Sequence, residues 1–177
     1  MATMQQFTDK MYQLNDDFSL FHAKANPATL EQIYAFEQEK SLTFPQEFKD
    51  FLTTFGTMIL EVNEDIWKRP EEFDILPAWK FGYGMFIYGL DQNFPDGNWL
   101  YYHETFDDEL NGLMFYERTG GLIKAYLNQQ GEIYIEKDPY SDWTDMEKYT
   151  GNLFDFLIDE INELEQDYQQ YISEKKS

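Results

Sequence analysis

Three stretches of the chain carry apolar residues at intervals of three and four positions, the spacing that brings side chains to one face of an α-helix. The clearest stretch occupies residues 150–172, where the apolar stripe runs from Leu153 to Ile172. Residues 29–56 carry two shorter stripes separated by the linker KSLTF, and residues 1–28 carry a weaker one. The pattern therefore predicts a helical lead-in, a helix pair and a C-terminal helix.

The helix pair also has start and stop signals. Thr29 is followed three residues later by Gln32, which is the spacing of a capping box. Pro45 suits the first turn of the second helix, where the missing N–H had no partner in any case. Gly56 stands where a left-handed residue would end that helix. These residue types indicate a packing unit and not a catalytic motif.

Between residues 57 and 137 the pattern changes to short aromatic or β-branched runs separated by turn-forming residues. Such short spacers favour antiparallel neighbours, because parallel strands need a crossover of a dozen or more residues. We therefore predict one α+β domain over residues 1–177, with a mainly antiparallel sheet of about five to six strands against which the N-terminal helix pair and the C-terminal helix pack. The predicted strands are Met58–Val62, YGMFIYGL, NWLYYHE, LMFYE, GLIKAYL and EIYIE, with a long polar loop between the first two.

The charge of the chain narrows the possible partners. The sequence has 34 acidic residues against 13 basic ones, a formal net charge of −21. Phosphate backbones and anionic lipid surfaces repel such a chain, so we expect no binding to nucleic acid or membrane. A basic protein would be attracted, although an acidic surface that only maintains solubility is the simpler alternative. The absence of cysteine, of a signal peptide and of a long apolar run predicts a cytoplasmic protein.

Residue types that perform catalysis do not form a recognisable motif. The segment HETFD begins with His103 but has Asp107 where a zinc-protease helix carries its second histidine. There is no nucleophile elbow and no glycine-rich phosphate loop. Pairs of carboxylates are inevitable among so many acidic residues, so they argue only weakly for an enzyme acting on sugars, which stays a third alternative. We predict a protein that is not an enzyme and that has no cofactor and no metal ion.

Three acidic clusters are candidates for a binding surface. On the last helix, Asp155, Asp159 and Glu163 are spaced four residues apart, where like charges repel by about a few tenths of a kcal/mol per pair. The other two clusters have tryptophan or tyrosine beside them, which are frequent interface anchors. A merely solvated surface is the alternative interpretation. The predicted partner-binding residues are Glu64, Asp65, Trp67, Trp99, Glu104, Asp107, Asp108, Glu109, Asp155, Asp159 and Glu163.

Residues 30–56 resemble the signature of the SUKH superfamily. The family has an amphipathic helix with a glutamate near its end, followed by a proline-led second helix that closes at a glycine. The chain departs from this pattern in its lead-in of residues 1–28, and because Gly56 stands without the second glycine or asparagine that often accompanies it. The matching residues are Leu30, Ile33, Phe36, Glu37, Leu42, Phe44, Pro45, Phe48, Lys49, Phe51, Leu52 and Gly56.

The resemblance implies an α+β domain without catalysis, in which Glu37, Pro45 and Gly56 have structural roles. Bacterial SUKH proteins are mostly immunity proteins that bind and neutralise a cognate toxin, frequently a nuclease, and eukaryotic members are regulatory interaction modules. We expect a monomeric immunity protein that binds a basic toxin through its acidic surface. A regulatory module that binds a peptide or another intracellular partner is the alternative.

Overall fold

The computed structural model describes residues 1–21, 23–67, 83–90, 106–107, 110–118, 123–136 and 145–175, and of residues 106–107 it describes the backbone alone. This part of the chain forms an α+β fold, as predicted, with four helices and one sheet of eight strands. The helices are α1 (Met4–Tyr12), α2 (Leu30–Lys40), α3 (Gln46–Thr54) and α4 (Leu153–Lys175). The strands are β1 (Phe18–Phe21), β2 (Met58–Val62), β3 (Gly84–Ile87), β4 (Phe106–Asp107), β5 (Gly112–Arg118), β6 (Ile123–Asn128), β7 (Ile133–Glu136) and β8 (Glu147–Lys148).

Every strand pair in the described sheet is antiparallel, as the short spacers predicted. The order is β1–β2–β3–β5–β6–β7–β8, and β4 pairs with β5. The strand count exceeds the prediction partly because β4 and β8 have two residues each, too few to show a period of two. The predicted strand NWLYYHE and most of the predicted polar loop lie outside the described residues.

The lead-in contains a strand as well as a helix, so the prediction of a helical segment over residues 1–28 is wrong in part. Helix α1 ends at Tyr12, and Phe18 and Phe21 lie in β1, where they pair with Val62 and Ile59 of β2. The spacing of three between the two phenylalanines suits a helix, but β2 offers the backbone a partner that is distant in sequence. Strand formation depends on such tertiary context more than helix formation does.

The helix pair is confirmed, and an ion pair with a buried carboxylate joins its two helices. The capping box of Thr29 and Gln32 starts α2. Near the end of α2, the buried carboxylate of Glu37 accepts a hydrogen bond from the N–H of Phe44 at 2.6 Å and pairs with the ammonium group of Lys49 in α3 at 2.8 Å. Glu37 therefore fixes the linker and the second helix relative to the first.

Gly56 ends α3 in the left-handed conformation that the sequence predicted, with φ of +69°. A Cβ atom at this position would lie 2.5 Å from the carbonyl oxygen of Asn26. The segment before α2 packs closely here, since the N–H of Ala28 donates to the carbonyl of Leu52 at 2.9 Å. Glycine is therefore needed for space as well as for conformation.

A bulge in β5 aims two consecutive aromatic residues at the helices. The register with β6 shifts between Met114 and Tyr116, which leaves Phe115 as the extra residue. Phe115 and Tyr116 are both fully buried, and both rings lie edge-on against Phe156 of α4, with centroids 5.8 and 5.0 Å away. The bulge thus lets α4 pack across the middle of the sheet.

The C-terminal helix is confirmed over nearly the predicted range, and its apolar stripe joins the core. Leu153, Leu157, Ile161 and Leu164 of α4 are all buried. None of the helices in the described part of the chain has the length and apolar character needed to cross a membrane.

Candidate protein-binding surface

Arg118, the last residue of β5, lies among three carboxylates of α4. Its guanidinium group contacts Glu163 at 2.8 Å, Glu160 at 3.8 Å and, through its second terminal nitrogen, Asp167. Positions 160, 163 and 167 share one face of the helix because they are three and four residues apart. The side chain of Arg118 is only 11% exposed, whereas those of Glu163 and Asp167 are 58% and 57% exposed. We call Asp159, Glu163 and Asp167, with Arg118 beneath them, the acidic helix face.

The buried member of this group, Glu160, is held by a tyrosine. The hydroxyl group of Tyr116 donates a hydrogen bond to the Glu160 carboxylate at 2.5 Å. Burial raises the pKa of Glu160 above its ordinary value, although Tyr116 and Arg118 act in the opposite direction. Burial and the neighbouring Glu160 also raise the pKa of Tyr116, so its hydroxyl stays a neutral donor. Even when Glu160 carries a proton, the two exposed carboxylates outnumber the one cation.

Asp155, one of the predicted partner-binding residues, makes structural hydrogen bonds at the start of α4. It exchanges hydrogen bonds with Asn152 as a capping box: the Asn152 N–H donates to Asp155 at 3.0 Å, and the Asp155 N–H donates to Asn152 at 2.9 Å. The N–H of Ala2 donates to the same carboxylate at 2.7 Å. The bonds from the Asn152 and Ala2 N–H groups lower the pKa of Asp155. Asp155 therefore starts α4 and attaches the N-terminal segment to it.

The predicted repulsion along α4 is relieved by donors from other elements. Asp159 is exposed and accepts a hydrogen bond from the hydroxyl group of Tyr149 at 2.5 Å. Glu163 binds Arg118, as described above. The sequence did not reveal these partners, because they lie far away along the chain. Asp159 and Glu163 nevertheless remain at the surface, as predicted.

Trp67 is a core residue, contrary to its predicted role as a surface anchor. It is buried, and its ring stacks on Tyr83 with centroids 3.8 Å apart and on Tyr171 of α4 with centroids 4.9 Å apart. The surrounding sequence is polar, but these two tyrosines, which are distant in the sequence, cover the indole. A partner could reach Trp67 only after that stack had separated.

Glu64 and Asp65 are exposed in the turn after β2, where a partner can reach them. The same end of the sheet carries Asp16 and Asp17, because the N–H of Asn63 donates to the carbonyl of Asp17 at 2.8 Å. We call Asp16, Asp17, Glu64 and Asp65 the acidic turns. Tyrosines of α4 fasten both turns: Tyr168 donates to the Asp17 carboxylate at 2.7 Å, and Tyr171 donates to the Ile66 carbonyl at 3.3 Å.

The sequence-based prediction missed several residues of this surface. Arg118 is one of only two arginines in the chain, so it could have been recognised as a candidate for an ion pair. Its partners could not be identified without the fold. Asp167 continues the four-residue spacing of Asp159 and Glu163, so the same spacing could have predicted it as a member of this surface. Asp16 and Asp17 form an acidic pair before β1 that the helical interpretation of this segment concealed.

The predicted acidic cluster that follows Trp99 lies largely outside the described residues. The backbone of Asp107 pairs with Gly112 in the short strand β4. The side chain of Asp107 and the remaining members of the cluster lie outside the described residues; they are Trp99, Glu104, Asp108 and Glu109. Within the described ranges, no three His, Cys, Asp or Glu side chains are grouped so that they could hold a metal ion.

No protein-family model matches the chain, and no curated protein matches it either. The SUKH resemblance of the helix pair therefore stays a prediction, and the function has to be argued from the surface.

Proposed function

We propose that this protein is a non-catalytic binding protein of the immunity type, which sequesters a basic protein toxin in the cytoplasm through the acidic helix face. The observation that carries the proposal is that three carboxylates share the single guanidinium group of Arg118 while two of them stay more than half exposed. The surface keeps a negative charge after its internal pairing. Lysine or arginine side chains of a partner can contact Glu163 and Asp167 from the solvent side.

The arrangement also reduces the entropic cost of binding. An exposed glutamate on a helix normally samples several rotamers, and immobilising such a side chain costs roughly 0.5–1.5 kcal/mol on association. Arg118 already orients Glu163 and Asp167, and the buried Tyr116–Glu160 pair lies beside it. Part of the ordering cost is therefore met during folding and not during binding.

The net charge of −21 supports the same function through kinetics. Electrostatic attraction between oppositely charged proteins raises association rates by roughly 10- to 1000-fold, and salt suppresses the gain. A protein that must intercept a toxin before it acts benefits from fast association. The SUKH resemblance of residues 30–56 points to the same class of protein.

The test is co-expression with toxins encoded beside this chain. Protection of the host and recovery of a stable complex support the proposal, whereas failure to bind or protect against any of them overturns it. Glu163→Gln combined with Asp167→Asn should slow association by about tenfold and weaken its salt dependence. The matched control combines Glu31→Gln with Glu39→Gln on α2, which also removes two exposed negative charges; Glu39 is 56% exposed and has a basic neighbour, Lys40, at 3.6 Å. If the control slows association equally, the acidic helix face is not the specific site.

A further inference from the structure

The two edges of the described sheet differ in their protection against additional strands. At one edge, β8 consists of Glu147 and Lys148, and Lys148 pairs with Glu132. A short, charged edge strand resists the addition of another strand. At the other edge, β1 has the sequence FSLF, carries no charge, and pairs only with β2 among the described strands. Among the described strands, therefore, β1 is the edge strand that lacks this protection.

The β1 edge of the described sheet directs backbone hydrogen-bonding groups away from the sheet. The N–H of Asn63 donates to the carbonyl of Asp17, which makes this a hydrogen-bonded pair of the β1–β2 ladder. Because such pairs alternate along an antiparallel ladder, Ser19 and Phe21 also bond to β2, whereas Phe18 and Leu20 face outward. The outward N–H of Phe18 is occupied by a turn with Asn15. The N–H and carbonyl of Leu20 and the carbonyl of Phe18 therefore face outward at this edge.

Exposed apolar side chains lie along the same edge. Leu20 and Phe21 are 37% and 44% exposed, and they point to opposite faces of the sheet because they are consecutive in a strand. Tyr12, which is 65% exposed, is tied to this region by Lys24, whose ammonium group donates to its hydroxyl at 3.2 Å. An added strand would cover Leu20 and Phe21 with alternate side chains, as in other cases of strand addition.

We propose that β1 accepts an extended strand of the basic partner protein, so that the partner continues the sheet. The inference rests on the proposed function for the identity of the partner and deepens it by naming the mode of contact. Charge selects this occupant over a second copy, because two chains of −21 repel each other. The acidic turns lie at the end of β1, so the added strand should carry lysine or arginine at that end and apolar residues opposite Leu20 and Phe21.

The decisive variant is Leu20→Pro, because proline removes the outward N–H and leaves the bonds of Ser19 and Phe21 to β2 in place. Leu20→Ala is the control that trims the side chain but keeps the N–H. Two probes are used: the neighbouring toxin, and a synthetic peptide of alternating valine and threonine with two lysines at one end. We expect each probe to slow amide exchange at Leu20 in the unmodified protein, and Leu20→Pro to weaken binding by about tenfold, more than Leu20→Ala does.

The outcomes separate this inference from the proposed function. If the toxin binds and is neutralised while amide exchange at Leu20 stays unchanged with both probes, strand addition is overturned and the immunity function stands. If no toxin binds but the peptide protects Leu20, the edge is a strand acceptor and the immunity function fails. A concentration-dependent dimer that Leu20→Pro abolishes would show that a second copy is the occupant, which overturns the inference. Amide exchange in the unmodified protein decides the matter even if Leu20→Pro does not fold.

Discussion

Replacing Arg118 with glutamine tests the cluster of charges beneath the acidic helix face. The contacts with Glu163 and Asp167 are more than half exposed on the carboxylate side, so each contributes about 1 kcal/mol or less to stability. The contact with Glu160, at 3.8 Å, is different, because the Glu160 side chain is buried and that of Arg118 is only 11% exposed. Removing one partner of a buried ion pair leaves the other charge without compensation, which costs about 3–5 kcal/mol. Since Glu160 keeps its hydrogen bond from Tyr116, we expect a loss of about 3 kcal/mol at neutral pH.

The same variant should have a characteristic dependence on pH. Burial raises the folded-state pKa of Glu160, so the folded protein retains a proton at a pH where the unfolded chain has lost it. The Glu160 carboxyl group therefore favours folding at acid pH and opposes folding above its raised pKa. Arg118→Gln removes a cation that opposes the shift. The loss of stability should be largest at neutral pH and should shrink as the pH falls toward the ordinary value of a glutamate.

Urea unfolding followed by circular dichroism at neutral and at mildly acid pH measures these differences, and an unchanged m-value would show that the unfolded ensemble is comparable. Adding Glu160→Gln to Arg118→Gln should restore about 2 kcal/mol, because the glutamine can still accept from Tyr116 without a buried charge. Arg118→Lys is the control that retains the cation. A loss that is the same at both pH values, or that Glu160→Gln does not reduce, would refute the reasoning.

Three further predictions concern residues whose roles the structure assigned. Asp155→Asn should lower the free energy of unfolding by about 1 kcal/mol at neutral pH. Because the folded-state pKa of Asp155 is lowered, this contribution is lost as the pH falls below the ordinary aspartate value. The stabilities of the variant and the unmodified protein, measured by unfolding at decreasing pH, should therefore converge. Gly56→Ala should destabilise the protein by about 2 kcal/mol or more, since it adds strain at φ of +69° and a contact with the Asn26 carbonyl, and a melting temperature that does not fall would contradict this. Trp67→Ala should lower the free energy of unfolding by about 3 kcal/mol, because it removes a buried indole from between two tyrosine rings. A variant that is equally stable but dissociates faster from its partner would show that Trp67 is an interface residue.

Local signals in the sequence predicted the helices well. The capping box at Thr29, the glycine at position 56 and the apolar stripe of α4 act within a few residues of one another, so their consequences can be deduced without knowing the fold. The runs that became β2, β3, β5, β6 and β7 were also recognisable, because each is rich in apolar and aromatic residues and is bounded by turn residues. The antiparallel arrangement followed from the short spacers.

Interactions between distant parts of the chain decided the rest. The phenylalanines of β1 match a helical spacing, and only β2, some 40 residues later, makes the segment a strand. Trp67 lies in a polar sequence but is covered by Tyr83 and Tyr171, and the carboxylates of α4 find Arg118 and Tyr149 on other elements. By itself, therefore, the sequence determined the α+β class, the position of the helix pair and α4, and the excess of negative charge. The tertiary structure decided which charges are paired, which aromatic residues are buried and which strands lie at the edges of the described sheet. Burial, electrostatic pairing and strand pairing depend on distances in space that periodicity along the chain does not encode.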